Sequence, residues 1–167
     1  PGLYHSKMGN NATGDSNFAS RGIPIDSITV DGKSKFFYES NNIRRATNNL
    51  DSALYEEITV IRGASGLANG GMGETGGTIT LTRKQPRTQS AVSIGADLGS
   101  WRHTRLNLDA NGALNSSKTL LGRAVIVSDH GGDYLPRSSR HNHTLYGVLA
   151  YDLSPQTRLS TGAEIHA

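Results

Sequence analysis

Three groups of residues in this 167-residue chain are of types that do chemistry. Gly71-Met72-Gly73-Glu74-Thr75-Gly76 has the spacing of a dinucleotide-binding glycine turn. Such a turn must follow a strand and open a helix whose N-terminus holds the pyrophosphate. Here β-type Thr78–Thr82 follows instead, and no Lys-Ser or Lys-Thr stands where a phosphate loop needs it. The glycines read instead as closely packed backbone with several positive-φ turns. The second group is His141 and His143, two apart and therefore on one face of a strand. Two imidazoles bind a transition metal weakly, and a tight site needs a third ligand and partners behind it. His103 and His130 are distant in sequence, with nothing to make them converge. The third group is the pair of dipeptides Arg21-Gly22 and Arg62-Gly63, each beside a β-type run. An arginine at the edge of a buried strand needs a carboxylate, because an unpaired buried charge costs several kcal/mol. Asp26, Asp31, Glu56 and Glu57 are local partners, and exposed arginines are the competing reading.

Nothing here argues for catalysis. No Ser/His/Asp set has a nucleophile turn, and no carboxylate pair sits in a defined context. The absence of cysteine excludes a disulfide framework, thiolate zinc, iron–sulfur clusters and a cysteine nucleophile. Seventeen basic residues against fourteen acidic ones leave a formal charge of +3. The densest basic cluster is Arg83, Lys84 and Arg87, too sparse for the clustered footprint of a nucleic-acid binder.

The elements that must position these residues fall into two halves. Up to about Thr88 the chain is irregular and rich in Gly, Asn and Ser. Strands are expected at Ser27–Val30, closed by an Asp31-Gly32 turn, at Glu57–Arg62 and at Gly77–Arg83. Ile43, Ala46, Leu50 and Leu54 recur at helical spacing and predict a short helix within Asn42–Tyr55. From Ser90 onward, alternating strands of about ten residues follow one another. Val92, Ile94, Ala96 and Leu98 oppose Ser93, Gly95 and Asp97; Leu106, Leu108 and Ala110 oppose Asn107, Asp109 and Asn111. Thr119–Asp129, His143–Leu153 and Arg158–Ile165 continue the series. Asn115-Ser116-Ser117 and Ser154-Pro155-Gln156 read as tight turns, and His130–Arg140 as a longer polar loop. No run approaches the roughly 18 apolar residues of a spanning helix. Alternating strands with short turns at one end and longer loops at the other fit a transmembrane β-barrel. A soluble antiparallel sheet with one wet face alternates in the same way. Pattern alone leaves both open.

Taken in order, several segments resemble a known family. Ser20-Arg21-Gly22-Ile23-Pro24-Ile25-Asp26 with Val30-Asp31-Gly32, and Tyr55-Glu56-Glu57-Ile58-Thr59-Val60-Ile61-Arg62-Gly63-Ala64-Ser65-Gly66-Leu67, are similar to plug segments of TonB-dependent outer-membrane receptors. Gly73-Glu74-Thr75-Gly76-Gly77-Thr78-Ile79 through Lys84-Gln85-Pro86 resembles the end of that plug. Gly99-Ser100-Trp101 and Tyr151-Asp152-Leu153-Ser154-Pro155-Gln156-Thr157 resemble family turns in the barrel. Among subfamilies the similarity is to siderophore receptors of the coprogen, ferrioxamine and pyoverdine type. Ala64 departs from the proline usual after the second Arg-Gly.

The resemblance implies an α+β plug over residues 1–88 and, over 89–167, the first five antiparallel strands of a transmembrane barrel of about 22. The TonB box, the signal peptide and about seventeen strands would lie outside the chain. It implies TonB-dependent transport of a ferric siderophore across the Gram-negative outer membrane, with no catalysis, no bound cofactor and no resident metal. The partners implied are TonB with ExbB and ExbD, the ferric siderophore and outer-membrane lipid, and no nucleic acid. Arg21 and Arg62 would lock plug to barrel wall. Pro24, Ile25, Asp26, Phe37, Tyr38, Leu67, Asn69 and Met72 would stand at the plug apex as ligand contacts. Ser100–His103 and His130–Arg140 would be extracellular loops, and Asn115–Lys118 and Ser154–Thr157 periplasmic turns. A TonB-dependent receptor for a glycan or cobalamin, and a soluble β-rich binding module, are the rival readings.

Overall fold

In the computed structural model, residues 2–8, 15–25, 27–34, 36–39, 42–45, 50–63, 75–132 and 139–167 are described. The chain divides into two compact units, Pro1–Arg83 and Lys84–Ala167.

The first unit is built from short strands. β1 (Leu3–Met8), β2 (Asp15–Ser20) and β3 (Ile23–Ile25) form an antiparallel sheet in the order β1-β2-β3. β4 (Ser27–Val30) and β5 (Lys33–Ser34) make a hairpin, as do β6 (Phe36–Glu39) and β7 (Asn42–Arg45). β8 (Tyr55–Arg62) and β9 (Gly77–Arg83) pair antiparallel, and β9 pairs parallel with β4, giving the order β5-β4-β9-β8. Ile25, Ile28, Val30, Leu54, Ile79 and Leu81 form its core, each no more than 5% exposed. At the β4–β5 turn both Asp31 (φ 51°) and Gly32 (φ 74°) are left-handed, as a two-residue turn matched to strand twist requires. Arg21 (φ 53°) and Gly22 (φ 81°) repeat that geometry between β2 and β3.

The expected strands at Ser27–Val30 and Gly77–Arg83 are found with those bounds, and the one at Glu57–Arg62 begins at Tyr55. The helix expected within Asn42–Tyr55 is not found among the described residues of that span. Its start is strand β7, with Ile43 paired to Tyr38, and its end is a single 3-10 turn at Ser52–Leu54. Asp51 caps that turn, its Oδ1 accepting from the Ala53 amide at 2.9 Å. At Asn42–Arg45 the helical spacing is outweighed by cross-strand pairing with β6, which suits β-branched Ile43 and uses the backbone of Asn42, a poor helix former.

The second unit is a five-stranded meander, every strand antiparallel to the next: β10 (Ala91–Gly99), β11 (His103–Ala113), β12 (Leu120–Gly132), β13 (Ser139–Ser154) and β14 (Thr157–His166). Three-residue and two-residue connections close β10–β11 and β13–β14. Trp101 and Arg102 sit at positive φ in the first, so that Ser100–Arg102 is a tight turn rather than an open loop. Of the polar loop expected over His130–Arg140, His130–Gly132 end β12 and Ser139–Arg140 open β13, and residues 133–138 lie outside the described residues.

The register separates the side chains of this sheet by chemistry. One face carries Val92, Ile94, Leu108, Ile126, Leu145, Leu149 and Ile165, and it is the exposed one: Val92 is 69% exposed, Ile94 78% and Ile165 58%. All the Asp, Glu, Lys and Arg residues of the five strands alternate onto the opposite face. That face is buried along its centre, with Val125 and Val127 at 1% and Asp129 at 9%. A sheet folded for water does the reverse, burying its apolar face and exposing its charges.

Candidate functional site

In the first unit, the left-handed Arg21-Gly22 turn points β3 back along β2 and brings Pro24 onto the start of β9. A Cβ placed on Gly76 would lie 2.0 Å from the Pro24 carbonyl oxygen, so only glycine permits this approach. Gly77 follows at φ 127°, with its hypothetical Cβ 2.3 Å from the Ile61 oxygen. The Gly63 amide reaches the Gly76 carbonyl at 3.5 Å, closing the base of the connection between β8 and β9. Pro24 and both ends of that connection therefore meet in one place.

The predicted site residues are distributed unevenly about this point. Pro24 is exposed, whereas Ile25 is 1% exposed and serves the core. Asp26, Leu67, Asn69 and Met72 lie outside the described residues. Phe37 and Tyr38 are placed by their backbone in β6, opposite Arg44 and Ile43. Arg21 and Arg62 are both exposed, at a hairpin tip and at the end of β8. Of their expected local partners, Asp31 is engaged by Arg83 instead. Its Oδ1 accepts from the Arg83 amide at 2.9 Å and its Oδ2 from Arg83 Nη1 at 3.0 Å, pinning the β4–β5 turn to the end of β9. Glu57 accepts from the Thr59 hydroxyl at 2.8 Å.

The basic cluster Arg83, Lys84 and Arg87 is divided in the same way. While Arg83 holds Asp31, Lys84 Nζ lies 2.8 Å from Asp109, and the Arg87 amide donates to Asn111 Oδ1 at 2.7 Å. Residues 84–89 form a strap on the charged face of the second unit. Tyr146 donates its hydroxyl to the Lys84 carbonyl at 2.9 Å, Arg123 donates to the Gln85 carbonyl at 3.0 Å, and Pro86 is fully buried.

Two carboxylates organise that face, neither of which sequence reasoning singled out. Asp109 is held by Lys84 and by a two-pronged contact from Arg123, Nε at 2.9 Å and Nη2 at 2.8 Å. Asp129 is shared by Arg140 at 2.9 Å, His103 Nε2 at 3.2 Å and Arg105 at 3.3 Å. The available signal was the polar phase of the alternation, which puts Arg105, Asp109, Arg123 and Asp129 on one side. The pairing itself depends on cross-strand register, which that pattern does not state.

The histidines meet on the other face. His141 is the cross-strand partner of His130, and their Nδ1 atoms are 2.7 Å apart. His130 Nε2 lies 2.9 Å from the Ser128 hydroxyl, and the His143 ring centroid is 5.2 Å from that of His130. The expectation that His130 stands apart is thus corrected, because β12 and β13 fold back on each other and bring it onto the His141–His143 pair. Among the described residues, no group of three or more His, Asp or Glu is arranged to hold a metal ion. No helix among them is long and apolar enough to cross a membrane. A strand face with these exposures is nonetheless what hydrocarbon would cover.

Comparison with known proteins gives these features a context. Residues 1–78 match the TonB-dependent Receptor Plug Domain family. The ferripyoverdine receptor of Pseudomonas aeruginosa is 32% identical over 154 residues, 91% of this chain and 18% of that protein. The ferric-pyoverdine M114 receptor PbuA of a Pseudomonas species is 31% identical over 97% of this chain and 19% of its own length. The solved structure of P. aeruginosa FpvA bound to heterologous pyoverdines superposes with a TM-score of 0.85 at 30% identity, over 99% of this chain and 21% of that one. The alcaligin outer-membrane receptor FauA of Bordetella pertussis shares the fold at a TM-score of 0.75 and 24% identity. The chain spans about one fifth of the length of the curated relatives it matches.

Proposed function

Because the chain belongs to the TonB-dependent receptors, as its plug domain over residues 1–78 attests, we propose that it supplies the plug and first barrel strands of an outer-membrane receptor importing a ferric siderophore of the pyoverdine type. In this reading residues 1–88 are the plug and residues 89–167 enter the barrel wall. The observation that carries it is the inverted polarity of the five-stranded sheet, with its apolar face, free of Asp, Glu, Lys and Arg, exposed and the ion pairs of Asp109 and Asp129 half-buried on the other. A bilayer outside and a polar lumen inside account for both faces at once.

The mechanism follows from the parts. The siderophore lies against the plug apex, contacted by Pro24, Asp26, Phe37, Tyr38, Leu67, Asn69 and Met72; of these, Pro24 stands at the close approach that Gly76 permits. Flat aromatic and small residues at a concave site suit a bulky chelate. TonB takes hold of a segment preceding the plug by adding it as a strand, a backbone-driven mode, and draws on the inner-membrane proton gradient. Arg21 and Arg62 hold the plug to acids of the barrel until that pull arrives. Supporting a purpose for Arg21 is its left-handed backbone, a conformation that costs a side-chain-bearing residue roughly 1–2 kcal/mol and that Gly or Asn would adopt more easily.

The test is uptake of radiolabelled iron from ferric pyoverdine by iron-starved cells, with and without the gene and with a protonophore. Gene-dependent uptake abolished by the protonophore is expected. Gene-independent uptake of ferric pyoverdine, with gene-dependent uptake of a glycan or cobalamin instead, would transfer the reading to that cargo.

A further inference from the structure

We propose that His130, His141 and His143 form a proton-dependent contact for the phosphate headgroup of a membrane lipid; this rests on the barrel reading of the second unit. The three imidazoles stand on the apolar face, above the row Ile94, Leu108, Ile126, Leu145 and Ile165. Toward the other end of the strands that face carries no charged side chain, so the histidines mark the border where hydrocarbon gives way to headgroups. A lipid matches the site in both parts, with acyl chains on the leucine and isoleucine rows and an anionic phosphate at the imidazoles. Histidine is the side chain whose charge changes between about pH 5 and 8.

The neutral arrangement is self-contained. The 2.7 Å Nδ1–Nδ1 contact between His130 and His141 needs one nitrogen to donate and the other to accept. Protonating both rings turns that contact into two donors facing each other, and an acceptor with several oxygens resolves the conflict by entering between them. Among the described residues, nothing packed beside the cluster supplies such an acceptor. Along β12 the neighbour is Ser128, from β11 the facing residues are Thr104 and Leu106, and from β14 Ala167 meets His143. The charged groups nearest along the strands, Asp129, Arg105, Arg140 and His103, lie on the opposite face and are bound to one another.

The experiment is native mass spectrometry of the whole membrane protein in detergent, titrated with phosphatidylglycerol, with diacylglycerol of the same chains, or with inorganic phosphate. Phosphatidylglycerol retention is expected to rise about tenfold from about pH 8 to about pH 5.5, with no rise for diacylglycerol and no adduct from phosphate alone. The triple variant H130Q/H141Q/H143Q should lose the rise, and Tyr151→Phe at the far end of the same face should keep it. Equal retention at both pH values, or a rise that survives the triple variant, overturns the proposal. Adducts from inorganic phosphate alone assign the site to free anions and overturn the lipid assignment. A single variant, His143→Gln, guards against misfolding of the triple one and should roughly halve the rise. Failure of the protein to enter bilayers at all would instead strike the barrel reading itself.

Discussion

Gly76 leaves no room for even a methyl group beside the Pro24 carbonyl. Gly76→Ala should therefore destabilise the first unit by about 2 kcal/mol, through displacement of backbone that has no flexible end to move. Faster cleavage of the first unit in limited proteolysis would register it. Arg21→Gly behaves oppositely: relief of the left-handed backbone keeps the unit folded, while loss of the guanidinium weakens the proposed lock. The expected outcome is normal proteolytic resistance with reduced siderophore uptake; unchanged uptake would remove Arg21 from the mechanism. Asp129→Asn leaves Arg105, Arg140 and His103 around a neutral amide and should cost about 3 kcal/mol in urea unfolding of the embedded protein. At this scale the sequence was legible where backbone chemistry is local. The Asp-Gly turn was visible because glycine takes positive φ at no steric cost, whereas the Arg21-Gly22 turn was not, since arginine has no such preference. Asp109 and Asp129 were not, since a carboxylate's partners depend on which strands come to lie beside it.

The alternating strands were legible as elements because a two-residue period survives any tertiary context. Which of their two faces is the exposed one was not, since alternation reads the same in water and in hydrocarbon; the proposed lipid-facing side rests on the exposure of the apolar face. Ile126→Arg, in mid-strand on the exposed face, should therefore cost about 2–4 kcal/mol of membrane insertion, falling toward zero for a substitution at the strand ends. Recovery of folded protein from bilayers, scored by resistance to unfolding in cold detergent, measures it. Lack of effect at Ile126 would mean that this face meets water. β1, β2 and β7 escaped sequence reasoning because their residues neither alternate nor run apolar, and β6 because its three aromatics make too short a run to stand out. What defines them is hairpin pairing, as Ile43 opposite Tyr38 shows where a helix was expected.

For the whole molecule, the meander presents two open edges, β10 and β14, each with backbone groups that a further strand would satisfy. Expressed by itself, this 167-residue chain should self-associate in size-exclusion chromatography without detergent; a monodisperse monomer would favour a soluble module. The change of texture near Thr88 is visible in composition, while the long-range assembly of the first half is not. There β4 pairs with β9 across a gap of 51 residues, seen in the hydroxyl contact of Thr29 with Thr80, whereas each strand of the meander pairs with the next in line. That difference sets an order of events for the growing chain. Ile28 and Val30 have nothing to close on until Ile79 and Leu81 exist, and the loop between must first surrender its freedom. The N-terminal unit, though synthesised first, waits for its own last strand, while the later meander can zip up hairpin by hairpin as it appears.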